Sequence, residues 1–284
     1  MTLQISSQEF LLLRRYIEDQ CGIFLGNDKS YLIENRLSRL VRENGCSTFG
    51  EFYRMVRGET RASDLREAIL DAISTNETLW FRDLHPFRIL HTTLFPRLYD
   101  EIRAGRREHI SIWSAACSTG QEPYSIAMTA LDTYADSGAE GDCARHVHIT
   151  ASDVSANSVD AARKGQYSQA AMDRGMTPRY LYRYFRKRAN LWEIAPRVRD
   201  MVTFRRYNLK EVPPSGFGSF DVVFLRNVII YFSDEFKRRL FEKAARLMSP
   251  RGYLFLGTGE TISGYTDAFE PADDQEGIYY RLRP

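Results

Sequence analysis

Apolar residues in the first 75 or so positions recur at helical spacing, with no strand-like alternation. Ser6-Ser7-Gln8-Glu9 has the form of a capping box, in which a Ser side chain accepts from the third helical amide and the Glu reaches back. The helix it opens carries Phe10, Leu13 and Ile17, and Gly22 is placed to stop it. A second helix beginning near Lys29 sets Ile33, Leu37, Leu40 and Val41 on one face. Thr48 and Glu51 suggest another capping box, ahead of a stripe of Phe49, Phe52, Tyr53 and Val56. In a fourth segment Leu65, Ala68, Ile69, Ala72 and Ile73 follow the same period. The pattern predicts a small all-helical domain over residues 1–75, then a linker and helix over 76–107.

From about residue 108 the pattern changes. Strand-like runs at 109–116, 146–153, 220–227 and 252–258 are separated by helical stretches at 122–135, Ser155–Arg163 and 236–248. This alternation predicts an α/β domain over 108–284, with a doubly wound, mostly parallel sheet covered on both faces. Residues 277–284 read as a last strand, antiparallel at or near an edge, and His146 and His148 as neighbours on one strand. The stretch 172–206 interrupts the alternation, and its pieces at 191–196 and 201–209 look like strands of a small inserted antiparallel β subdomain. Between Met172 and Lys210 eleven basic residues face three acidic ones, which is either a solvated surface or a patch for an acidic partner.

Composition adds limits. The 284 residues carry 39 Lys+Arg against 37 Asp+Glu and are 43% hydrophobic, as in soluble globular proteins. That balance argues against a protein built wholly around nucleic acid. No apolar run reaches the roughly 18 residues of a membrane span. Met1–Phe10 lacks the basic and apolar regions of a signal peptide. Cys21, Cys46, Cys117 and Cys143 lie far apart, without CxxC or zinc-ligand spacing, so reduced thiols, no metal and a cytoplasmic location are expected.

The chemistry concentrates after the first strand of the α/β part. Ser114 to Gly120 is a loop of small residues of the kind that lets a ligand approach the backbone at the carboxyl edge of a parallel sheet. It is not GxGxxG, and Glu122 in the following helical turn would repel a pyrophosphate. The site therefore suits a ligand with cationic groups and no phosphate, such as S-adenosylmethionine. Asp153, ending the second strand, can accept both ribose hydroxyls of an adenosine; alternatively it or Ser155 caps the next helix.

Four segments, Asn76–Asp83, Ala115–Ser125, Asn208–Leu209 and Arg226–Phe232, closely resemble the CheR family. These are S-adenosylmethionine-dependent glutamate O-methyltransferases of bacterial chemotaxis receptors, with a class I methyltransferase-like fold. The resemblance covers nearly the whole chain. It implies that Asn76, Thr78, Arg82, Glu122, Asp153, Asn208, Leu209, Arg226 and Asn227 line the cofactor site, with Arg82 and Tyr231 nearest the transferring methyl. S-adenosylhomocysteine would be the product, and no metal is required. Trp80 and Gln121 stand where the family often has Phe and Glu; neither is a carried-over cofactor contact, so activity should be retained.

The resemblance also makes the second helix a docking surface for receptor cytoplasmic domains, through Arg36, Arg39 and Arg42; the alternative is a solvated basic face. Some members bind a receptor C-terminal pentapeptide beside a Gly-rich turn in the inserted subdomain. Here the corresponding run, Tyr184–Pro196, has no glycine, so a pentapeptide-independent enzyme is expected. The family further suggests a monomer, with neither nucleic acid nor membrane insertion involved. Two other readings remain: a nucleic-acid methyltransferase using the basic stretch, and a non-catalytic sensor of the cofactor or its product.

Overall fold

The computed structural model describes residues 3–58, 62–138 and 143–284. Four helices come first: α1 (Ser7–Cys21), α2 (Ser30–Glu43), α3 (Phe49–Arg57) and α4 (Ala62–Ile73). They share a core that includes Leu13, Ile17, Ile33, Leu37, Phe49, Phe52 and Ile69. The α1 capping box forms as expected, with Ser6 accepting from Glu9 N and Glu9 reaching back to Ser6 N. At α3 only half a box forms. Thr48 accepts from Glu51 N, but the Glu51 carboxylate takes the Ser47 amide at 2.7 Å instead of returning to Thr48. Gly22 closes α1 at φ 81°, where a Cβ would also collide with the Phe236 ring.

A helical segment, α5 (His85–Ile89), a π turn and α6 (Phe95–Arg103), leads into the α/β part. There follow β1 (Ile110–Ala115), α7 (Gln121–Asp136), α8 (Cys143–His146), β2 (Val147–Asp153), α9 (Ala156–Lys164), β3 (Gln166–Ser168), α10 (Gln169–Met172), α11 (Pro178–Tyr184), β4 (Phe185–Arg188), β5 (Leu191–Ile194), α12 (Pro196–Arg199) and β6 (Val202–Arg206). The chain finishes with β7 (Phe220–Phe224), α13 (Asp234–Arg246), β8 (Met248–Phe255), β9 (Phe269–Asp274) and β10 (Gly277–Leu282).

Among the described residues the main sheet runs β6-β2-β1-β7-β8-β10-β9, parallel from β6 to β8, with β10 antiparallel between β8 and β9. Period-2 alternation divides its side chains between two cores. Ile110, Ile112, Val222 and Phe224 face one; Trp113, Ala115, Val223 and Leu225 face the other. The strand order reverses between β1 and β7, which leaves a crevice at their carboxyl ends.

The expected subdomain over 172–206 needs correction. The small sheet is β3-β5-β4, so it starts at Gln166, and β6 pairs in parallel with β2 in the main sheet. Val202 and Phe204 bury themselves in the main core, a destination that their alternation alone could not choose. The β4–β5 hairpin closes through Ala189-Asn190 without glycine, Ala189 itself taking φ 50°. His146 belongs to α8 and not to the strand that holds His148. Much of the basic stretch is spent on internal pairs: Arg174 with Glu77, Arg179 and Arg183 with Asp132, Arg188 with Glu193, and Arg206 with Glu67. Cys21, Cys46 and Cys117 are free and buried; the Cys143 side chain lies outside the described residues.

Candidate functional site

The loops leaving β1 and β7 frame one cavity. After β1 the chain takes left-handed turns at Ala116 (φ 55°) and Ser118 (φ 50°), and the Cys117 amide bonds the Ser152 carbonyl of β2. Asp153, at the end of β2, accepts from Ser118 N at 2.8 Å and from Ser155 N at 2.9 Å. Ser155, not Asp153, caps α9, through Ser158 N at 3.0 Å. The cap alternative thus falls to Ser155, and the Asp153 carboxylate, with about four lone-pair sites, retains acceptor capacity beyond its amides. Burial pushes the Asp153 carboxyl up, against the pull of the Ser155, Ser118 and Val154 amides.

Glu122 stands in the first turn of α7. Its Oε1 accepts from Ser114 Oγ at 2.7 Å and its Oε2 from Arg226 at 2.8 Å. Burial raises the Glu122 carboxyl, while Arg226 and Ser114 work against it. The other terminal nitrogen of Arg226 holds Asp83 at 2.9 Å and the Arg82 carbonyl at 2.6 Å. For Asp83 burial is outweighed, and Arg226 with Thr258 keeps its carboxyl below the usual range.

That carbonyl belongs to a strap over residues 76–84. Phe81, Asp83 and Leu84 all adopt positive φ, a concentration of strain that persists because the surroundings over-determine it. Ser118 Oγ donates to the Asn76 carbonyl, Phe81 N to Ser125 Oγ, and Trp80 N to the Arg174 carbonyl. The fully buried Trp80 ring packs edge-on against Tyr167 and Phe185 of the small sheet, at 4.8 and 5.3 Å between centroids.

The helical part supplies another wall. Phe24 N donates to the Tyr231 carbonyl at 2.8 Å, and Ile23 pairs with Phe232 as an isolated bridge. Asn208 donates to the Gln20 carbonyl, and Lys210 Nζ to the carbonyls of Glu18 and Asp19 at the end of α1.

Every residue that the resemblance carried over as cofactor-binding or methyl-proximal, from Asn76 to Tyr231, lines this cavity. Arg36 lines it too, which alters its expected docking role. Its guanidinium bonds the Ile73 and Ser74 carbonyls and Thr75 Oγ1, closing the carboxyl end of α4. Spacing of i, i+3, i+6 does not keep three side chains on one face, and only the tertiary fold put α4 beside the first. Arg39 is exposed and pairs with Glu43 at 2.7 Å; Arg42 lies one turn further on.

Asp83 and Phe24 belong to the same construction and escaped sequence reasoning as site residues; Ser114 was legible only as a member of the small-residue loop, and Glu260 only as the end of a turn that borders the cleft. For Asp83 a signal existed, since it ends the first resembling segment. Phe24 had none, because it is an exposed residue of the helical part, far from the resembling segments in the chain. Among the described residues no group of three or more His, Cys, Asp or Glu could hold a metal ion.

The residues fit a nucleoside that carries both a cationic group and a hydrogen-bond acceptor. The carboxylates of Glu122 and Asp153 flank the small-residue loop, and Arg226 Nε, buried at the cavity, is a donor that finds no hydrogen-bond partner among the described residues.

Comparison with known proteins places residues 76–278 in the family described as CheR methyltransferase, SAM binding domain, and residues 8–74 in CheR methyltransferase, all-alpha domain. The chain is 40% identical to chemotaxis protein methyltransferase 1 of Pseudomonas aeruginosa, covering 99% of this chain and 100% of that one. It is 41% identical to chemotaxis protein methyltransferase 1 of Vibrio cholerae, covering 99% of each. With the chemotaxis protein methyltransferase of Escherichia coli it shares 32% over 92% of this chain and 87% of the other.

Proposed function

Because the chain belongs to the CheR methyltransferase family and is an S-adenosylmethionine-dependent methyltransferase of chemotaxis, we propose that it esterifies the γ-carboxylates of glutamates in chemoreceptor cytoplasmic domains. The observation that carries the reading is the gathering of Asn76, Arg82, Asp153, Asn208, Asn227 and Tyr231, from distant parts of the chain, around one cavity at the switch point of the sheet.

Bound here, the cofactor supplies an electrophilic methyl group on a positively charged sulfur. Asp153 would hold the ribose hydroxyls with its remaining acceptor capacity, and Glu122 and Asn208 would complete the wall. A glutamate with an ordinary pKa of about 4.3 is already ionised at neutral pH, so no general base is needed. The protein's task is alignment and the removal of water from two opposite charges that cancel on reaction. Arg82, whose Nη1 makes a long 3.5 Å bond to the Glu77 carbonyl, orients the incoming carboxylate, and Tyr231 borders the methyl.

Arg39 and Arg42 meet the acidic receptor helices. Residues 1–75 act as the docking domain, and the protein works as a cytoplasmic monomer. No helix among the described residues is long and apolar enough to cross a membrane. Independence from a receptor pentapeptide rests only on the glycine-free turn Ala189-Asn190, and micromolar binding of such a peptide in calorimetry would reverse it.

The deciding experiment is methylation of purified receptor cytoplasmic fragments, read as base-labile methanol release. Methyl ester formed on glutamates supports the reading. Cofactor binding without ester would favour a sensor, and salt-dependent capture of random DNA or RNA with methylation of it would favour a nucleic-acid enzyme. Asp153→Ala must weaken capture of S-adenosylhomocysteine.

A further inference from the structure

We propose that Glu260 is the positioning residue that holds the loop Asn227–Tyr231 against the cofactor cavity. Leaving β7, the chain cannot continue as a strand, because Asn227 turns left-handed at φ 56°. The amides that follow lose their ladder partners and must find others. One side chain from beyond the end of β8 collects them. Glu260 Oε2 accepts from Asn227 N at 2.6 Å and Gly257 N at 2.7 Å; Oε1 accepts from Val228 N at 2.9 Å, Ile229 N at 3.0 Å and, more weakly, Ile230 N at 3.4 Å.

Successive backbone amides curled around one anion form a nest, normally seen around a bound ion. Here the anion is built in. It ties the carboxyl ends of β7 and β8 together with no ion pair to Glu260 among the described residues. The loop it shapes carries Asn227 and Tyr231 into the cavity wall, and the Tyr231 carbonyl is the acceptor for Phe24 of the helical part. Glu260 is not among the residues that line the cavity and acts through those two residues, which are. A carboxylate is required because both oxygens accept, whereas an amide would turn a donor toward one set of amides.

The inference rests on the proposed places of Asn227 in the cofactor site and of Tyr231 beside the transferring methyl. The test compares Glu260→Gln, Glu260→Asp, Tyr231→Phe and the double variant Glu260→Gln/Tyr231→Phe, in receptor-fragment methylation with kcat and KM separated. Glu260→Gln is expected to lower kcat about 10- to 100-fold, the scale of a misplaced site, with receptor KM unchanged and partial rescue in Glu260→Asp. The double variant should be no slower than the worse single one, since both changes act through one loop.

Full kcat in a folded Glu260→Gln or Glu260→Asp enzyme overturns the inference, as does a double variant whose losses multiply. Should Glu260→Gln melt below the assay temperature, Glu260→Asp decides alone: folded with reduced kcat supports, folded with full kcat overturns. If Tyr231→Phe is fully active, the proposed role of Tyr231 falls, and the double variant is made with Asn227→Ala instead.

Discussion

Arg226 lies 2.8 Å from Glu122, joining the loop after β7 to the first turn of α7, and both side chains are withdrawn from solvent. The pair is the junction of the site, since the same guanidinium clamps Asp83 and the Arg82 carbonyl of the strap. Replacing it by Arg226→Met should destabilise the fold by about 3–5 kcal/mol, because Glu122 would remain as an uncompensated buried charge. Urea unfolding followed by circular dichroism measures this. Cofactor affinity should fall in the same variant.

Acidification should weaken cofactor binding before it unfolds the protein. Burial raises the Glu122 and Asp153 carboxyls above their ordinary values of 4.5 and 3.8, so both begin to protonate early as pH falls. A neutral carboxyl attracts a cationic ligand less, so affinity drops, with a midpoint above 4.5 for Glu122. For stability the sign is opposite. A raised folded pKa gives a contribution that is complete below the unfolded value and is lost as pH rises through the folded one. Calorimetry over a mildly acidic to neutral series should show the affinity loss, and Glu122→Gln should flatten it.

The three arginines of α2 should separate by function. Arg39→Glu combined with Arg42→Glu is expected to raise receptor KM and leave cofactor affinity intact. Arg36→Ala should instead lower stability by about 1.5–3 kcal/mol, through the lost bonds to the end of α4. Thermal melts and receptor kinetics on the same preparations distinguish the two. Equal behaviour of all three would reject the assignment.

Gly175→Ala should disturb the strap from outside the cavity. Gly175 has φ 94°, and a Cβ there would stand 2.3 Å from the Trp80 carbonyl oxygen. The cost is about 1–3 kcal/mol of backbone strain, and the shift passes to Arg82 two residues on. A lowered melting temperature together with reduced kcat is the expected result.

What was legible along the chain was what neighbouring residues decide together. The α1 cap, the stop at Gly22 and the β1–loop–α7 unit follow from local hydrogen bonding and periodicity, and each formed. The small-residue loop with Glu122 and Asp153 pointed to a cationic nucleoside because charge and backbone access are local properties. The Thr48–Glu51 box failed by half because the neighbouring Ser47 amide competes for the same carboxylate, a contest that sequence does not score.

Sequence alone determined the helical N-terminal part, the α/β alternation and, through four resembling segments, many of the residues that surround the cavity. Tertiary structure decided which partner each of them takes. Arg36 went to the end of α4, β6 to the main sheet, Arg226 to Glu122, and Glu260 to the amides of a loop more than thirty residues earlier in the chain. The physical reason is that a polar group at the surface has water as a partner, whereas one withdrawn from water must bond to whatever the packing brings beside it.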